Sequence, residues 1–151
     1  MQIIRFLFAF VFVGIALMIT MMWTPDIAPE TLKAKYAYGA SSFIDLPSGA
    51  TAHYRDEGDK NSQAIILLHG SNSSLHTWEP WVSNLKENYR VITVDLPGHG
   101  LTGSTPADDY TYTGMVKFLN EFTNQIGINN FILGGNSMGG GISIKYTLTY
   151  P

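Results

Sequence analysis

Ser137 stands between two glycines at a spacing that suits a nucleophile. The run Phe131-Ile132-Leu133-Gly134 leads into Gly135-Asn136-Ser137-Met138-Gly139. A serine hydroxyl is reactive only when it projects clear of its backbone, close to groups that stabilise developing negative charge. A sharp strand-to-helix turn supplies both conditions, at the cost of unfavourable dihedrals at the serine. Gly135 and Gly139 remove side chains that would collide where strand and helix close on each other. The following helix points its N-terminal amides at the site, and the Met138 N–H is the expected first oxyanion donor. A second donor is expected from the loop after the upstream run Ile66-Leu67-Leu68-His69-Gly70-Ser71, with the Ser71 N–H preferred and Asn72 next. Alone, the Gly-x-Ser-x-Gly pattern also fits an ordinary glycine-rich turn; its place after a strand and before a helix favours the nucleophile.

Other residues invite chemistry and yield less. His69 and His99 sit in glycine-containing turns. Gly98-His99-Gly100-Leu101-Thr102-Gly103 matches a dinucleotide fingerprint literally. Pro97 precedes it, no apolar helix begins there, and no acidic residue ends a strand about 20 positions on. The glycines at 134, 135 and 139–141 lack the Lys-Ser/Thr of a phosphate loop. Asp56-Glu57 and Asp108-Asp109 lie in polar stretches without spaced histidines, so neither a metal nor a cofactor is expected. The absence of cysteine excludes disulfides, thiolate zinc sites and a cysteine nucleophile. Nine Lys+Arg against twelve Asp+Glu leave a net charge of −3 and no basic stripe, so no nucleic-acid partner is expected.

The elements that must position Ser137 alternate. Ser42–Leu46 and Thr51–Glu57 are strand candidates around the turn signal Pro47-Ser48-Gly49. Ala64–His69, Arg90–Asp95 and Phe131–Gly134 are short apolar or β-branched runs that suit doubly buried strands. Helical spacing covers Trp78–Leu85, Met115–Ile126 and Gly139–Tyr150, with Trp78 and Trp81 expected in the core under the sheet. The pattern predicts an α/β fold over residues 41–151: a mostly parallel sheet with flanking helices.

At 151 residues, 45% hydrophobic and only 14% charged, the chain is too apolar for disorder. Much of the excess lies at Phe6–Trp23, eighteen uncharged residues in which only Gly14 and Thr20 fall outside the apolar set. A cleaved signal peptide has a shorter apolar core of roughly 7–15 residues and a small-residue cleavage site, which Thr24–Pro29 lacks. A buried core helix usually carries a polar face. The expectation is an uncleaved single-pass anchor over residues 1–24, with a linker at 25–40. Arg5 before the segment and Lys33 and Lys35 after it nearly balance; the domain is expected on the extracytoplasmic side.

Four segments, in order, carry a resemblance: His53-Tyr54-Arg55-Asp56-Glu57-Gly58, Leu67-Leu68-His69-Gly70, Asp95-Leu96-Pro97-Gly98-His99-Gly100 and Gly135-Asn136-Ser137-Met138-Gly139-Gly140. Residues 41–151 resemble the N-terminal half of an α/β-hydrolase fold protein, in the serine hydrolase branch that includes esterases, carbon–carbon bond hydrolases and cofactor-free haloperoxidase-like enzymes. Ser rather than Asp at position 137 argues against the haloalkane dehalogenase and epoxide hydrolase branches. The resemblance implies an acyl-enzyme at Ser137 and a small apolar ester or related carbonyl substrate. A triad in this fold runs Ser, then Asp or Glu, then His. All four histidines (His53, His69, His76 and His99) precede Ser137, and the fourteen residues after it contain no Asp, Glu or His. The expectation is therefore a chain truncated before its acid and base and inactive by itself. The alternative is a catalytically inactive, membrane-anchored binding protein of the same fold.

Overall fold

Strand β3 (Ala64–Leu68) is buried along its whole length, and its place in the sheet explains why. In the computed structural model, which describes Gln2–Pro151, five strands lie in the order β1-β2-β4-β3-β5. β3 runs parallel to β4 (Arg90–Val94) on one side and to β5 (Phe131–Gly135) on the other. Its side chains alternate between two helical layers, so both faces must be apolar. Ala64, Ile66 and Leu68 join the larger core with α4 (Tyr112–Gln125) and α5 (Met138–Thr149). Ile65 and Leu67 pack instead with Val82 and Leu85 of α3 (Glu79–Leu85). Complete burial of Ile66, Leu68, Ile92 and Phe122 contributes about 1.5–3 kcal/mol for each side chain.

The remaining strands, β1 (Ser41–Asp45) and β2 (Thr51–Glu57), form the hairpin signalled by Pro47-Ser48-Gly49. β2 is also antiparallel to β4, so the sheet is mixed: an antiparallel edge joined to a parallel half. The parallel half carries the strand–helix alternation and brings the C-terminal ends of β3, β4 and β5 together.

Several boundaries differ from the sequence reading for local reasons. The helix expected from Trp78 begins as a 3-10 turn (Leu75–Trp78) before α3. Helix α4 starts one turn before Met115 because Thr111 caps it, its side chain accepting from the Gly114 N–H. Trp81 is 63% exposed rather than in the core. In a helix of two turns, Trp78, Val82 and Leu85 already occupy the face toward the sheet, and Trp81 is left packed edge-on against Trp78. Within the stretch read as a linker, Pro29–Tyr36 forms helix α2, with Pro29 at its start, Glu30 in its first turn and Lys33 and Lys35 in its last. Ahead of it, α1 (Gln2–Met22) has 21 residues, and its Ile4–Met22 segment buries nothing against the rest of the chain. At about 1.5 Å per residue it is long enough to cross a bilayer core, a candidate membrane span by length and composition.

Candidate functional site

The turn from β5 into α5 is built from backbone contacts that only glycine allows. A Cβ on Gly139 would lie 2.3 Å from the Leu68 carbonyl oxygen and 2.6 Å from that of His69. A Cβ on Gly135 would lie 2.3 Å from the Gly139 carbonyl carbon. Asn136 donates its N–H to the Leu68 carbonyl at 3.0 Å, and Gly139 donates to the Asn136 carbonyl at 2.9 Å. The elbow is thereby clamped to the end of β3.

Ser137 absorbs the resulting strain. Its φ of 53° and ψ of −116° lie outside the basins open to L-residues, a conformation costing about 1–3 kcal/mol. The side chain is exposed, and among the described residues none hydrogen-bonds its hydroxyl. Met138 opens a twelve-residue helix whose first-turn amides carry the positive end of the dipole. The loop after β3 meets the elbow at Gly70, where a Cβ would stand 3.2 Å from Ser137 Cβ and 3.8 Å from its Oγ. Ser71 and Asn72 follow, both exposed, and Asn72 has a positive φ of 53°. The structure places Ser137, Met138, Gly135 and Gly139 at one turn, beside the start of the loop that carries Ser71.

The histidines are engaged elsewhere. His69 is fully buried; its Nδ1–H donates to the Gly70 carbonyl at 2.7 Å, and its Nε2 accepts the Leu96 N–H at 3.0 Å. Those two bonds require the neutral ring, and burial lowers its pKa below the usual 6.5. His99 donates from Nδ1 to the Pro97 carbonyl. His76 bonds Glu79, which also accepts from Tyr38 and Arg55 and is pulled down to about 2, chiefly by the His76 and Tyr38 hydrogen bonds.

Sequence reasoning missed the cluster around Asp95, which directly follows β4 and is 1% exposed. Its Oδ1 accepts the Leu75 N–H at 2.7 Å; its Oδ2 accepts His53 Nδ1–H at 2.7 Å and the Leu101 N–H at 2.8 Å. Burial alone would raise the carboxyl pKa, but these donors outweigh it and hold the group below its usual 3.8. With Nδ1–H committed to the carboxylate, His53 Nε2 faces Ser41 Oγ at 3.0 Å. Ser41, His53 and Asp95 form a serine–histidine–aspartate chain. It lacks the rest of a hydrolytic site: the Ser41 N–H is taken by the Tyr38 carbonyl, and Arg55 Nε donates to Ser41 Oγ. No spacing rule finds this chain, because two of the Asp95 donors are backbone amides and the third lies across a strand ladder.

Comparison with known proteins agrees with this architecture. A family model described as alpha/beta hydrolase fold matches residues 63–151. Monoacylglycerol lipase abhd6-A of Xenopus laevis is 36% identical over 93 residues, which cover 60% of this chain and 28% of that protein. A 2-hydroxy-6-oxononadienedioate/2-hydroxy-6-oxononatrienedioate hydrolase of Paraburkholderia phymatum is 31% identical over 118 residues, covering 74% of this chain and 41% of its own. A membrane phospholipase A described as a bacterial virulence factor superimposes with a TM-score of 0.71 at 26% identity, over 97% of this chain and 48% of that one. The chain spans less than half the length of each of these relatives.

Proposed function

Because the chain belongs to the α/β-hydrolase fold family, we propose that the protein is a serine hydrolase in which Ser137 attacks an ester or related carbonyl carbon. The observation that carries this reading is the strained Ser137 backbone, held by glycine-only contacts at the head of α5 and exposed beside the loop after β3. The Met138 N–H and the Ser71 N–H, with Asn72 the other candidate in that loop, stabilise the oxyanion of the tetrahedral intermediate. Ser137 Oγ bonds to the acyl carbon, the leaving alcohol takes a proton, and water then releases the acid from the acyl-enzyme. Among the described residues no histidine hydrogen-bonds the Ser137 hydroxyl. His69 is held neutral by two bonds, and His53 is shut in against Asp95.

The substrate class we infer is an apolar acyl ester presented at a membrane. Two relatives are named as a monoacylglycerol lipase and a membrane phospholipase A, and α1 is apolar enough to anchor the domain to a bilayer. The relative that acts on a 2-hydroxy-6-oxo diacid supports the carbon–carbon alternative. Labelling of the full-length protein with a fluorophosphonate, together with p-nitrophenyl ester hydrolysis, tests the assignment. Both activities are expected to vanish in Ser137→Ala, and persistence of either overturns it.

A further inference from the structure

Asp95 holds three parts of the molecule at once, and one of them is the loop expected to bind the oxyanion. That loop, Gly70–Leu75, is fixed at both ends by buried side chains. At its start His69 donates to the Gly70 carbonyl at 2.7 Å, and at its end Asp95 accepts the Leu75 N–H at 2.7 Å. Both ties converge on the end of β4, since the Leu96 N–H is the donor to His69 Nε2. Between the ties lie Ser71 and Asn72, the latter with a positive φ of 53°, which Asn adopts more readily than other non-glycine residues.

The rest of the cluster fixes Asp95 itself. The Thr102 hydroxyl donates to the Asp95 carbonyl at 2.8 Å and accepts the His53 N–H at 2.9 Å. Gly100 passes so close that a Cβ there would stand 2.1 Å from Asp95 Oδ2. A carboxylate is needed because three donors converge on two oxygens, which an amide cannot accept without leaving one donor buried and unpaired.

We propose that Asp95 is a positioning residue for catalysis, setting the Ser71–Asn72 amides at oxyanion distance from Ser137 by anchoring the far end of their loop. This rests on the serine hydrolase reading. The Ser41–His53–Asp95 chain is then a brace rather than a second triad: His53 completes the donor set of the carboxylate, and Ser41 satisfies the far nitrogen of the ring.

Full-length wild type, Asp95→Asn, His53→Leu, Ser41→Ala and Ser137→Ala are compared in p-nitrophenyl ester hydrolysis and in inhibition by a trifluoromethyl ketone, whose adduct mimics the oxyanion. Asp95→Asn is expected to lower kcat by roughly 10- to 100-fold with KM nearly unchanged, and to weaken the ketone by a similar factor. Should Asp95→Asn fail to fold, His53→Leu leaves the carboxylate and both amide bonds in place and is expected to give a smaller loss of the same kind. Ser41→Ala keeps all three Asp95 donors and is expected to lose less than His53→Leu. The proposal is overturned if kcat falls while ketone potency holds, if the loss appears in KM alone, or if Ser41→Ala is as impaired as Asp95→Asn. Activity that survives Ser137→Ala overturns the parent reading instead.

Discussion

Ser137 stands just before α5 with a strained backbone, an exposed hydroxyl and a helix N-terminus behind it, whereas Ser41 opens β1 in a regular strand with an imidazole at 3.0 Å. Each serine has what the other lacks. Ser41 has a base and an acid in line, but its own amide is spent on Tyr38 and a guanidinium donates to its oxygen. Among the described residues Ser137 has no base, yet its backbone is bent into a shape that serves no packing need a glycine would not meet better. Proton relays arise wherever polar side chains must satisfy one another in a core. A strained, exposed serine facing helix amides does not arise that way, so the elbow is the stronger sign of chemistry.

The largest expected effect separates the two serines directly. Mapping fluorophosphonate adducts on the full-length protein by mass spectrometry should place them on the peptide containing Ser137 and none on the Ser41 peptide. Label on Ser41 would reverse the comparison. Next in size is the cost of crowding the elbow. Gly139→Ala drives a methyl into the Leu68 and His69 carbonyls and is expected to destabilise by about 3 kcal/mol or more. Gly140→Ala, whose Cβ would meet the Gly135 carbonyl oxygen at 3.3 Å, should stay within about 1 kcal/mol of wild type. Equal shifts in urea midpoint for the two would remove the argument that Gly139 is demanded by close approach.

A third contrast uses pH. His69 titrates below 6.5 in the folded chain because burial opposes its charge. Below that pH the unfolded chain binds a proton that the folded chain resists, so this group's stabilisation is present above about pH 6.5 and lost as pH falls. The slope is at most about 1.4 kcal/mol per pH unit. His69→Asn keeps a donor for the Gly70 carbonyl without titrating. Urea midpoints at pH 8, 6.5 and 5 should therefore fall less steeply in the variant; parallel falls would assign the dependence to other groups. The smallest effect lies away from both serines: Thr111→Ala removes the cap of α4 and should cost about 1 kcal/mol with no change in the pH slope.

What could be read in the sequence was whatever rests on spacing. The doubly buried β3, the glycines flanking Ser137 and the hairpin turn at Pro47-Ser48-Gly49 each follow from neighbours a few residues apart. The Asp95 cluster could not be read that way, because Leu75 and Leu101 contribute backbone amides that any residue but proline would offer. His53 reaches Ser41 only through the register that pairs Ser41 with Arg55 and Phe43 with His53. Trp81 was misplaced because helical spacing gives the angle between residues but not the number of turns that reach the sheet. Helix α2 was hidden by its polarity, though Pro29, Glu30, Lys33 and Lys35 carry its end signals.

The Ser137 dihedrals also bear on how this protein can change over time. A glycine at 137 would take the same backbone shape with far less penalty, so selection for folding alone favours losing the hydroxyl. In a lineage that no longer used the site, the first substitution tolerated here would also stabilise the fold. A serine in that conformation costs the fold stability that the proposed nucleophilic role would offset and that a binding-only role would not.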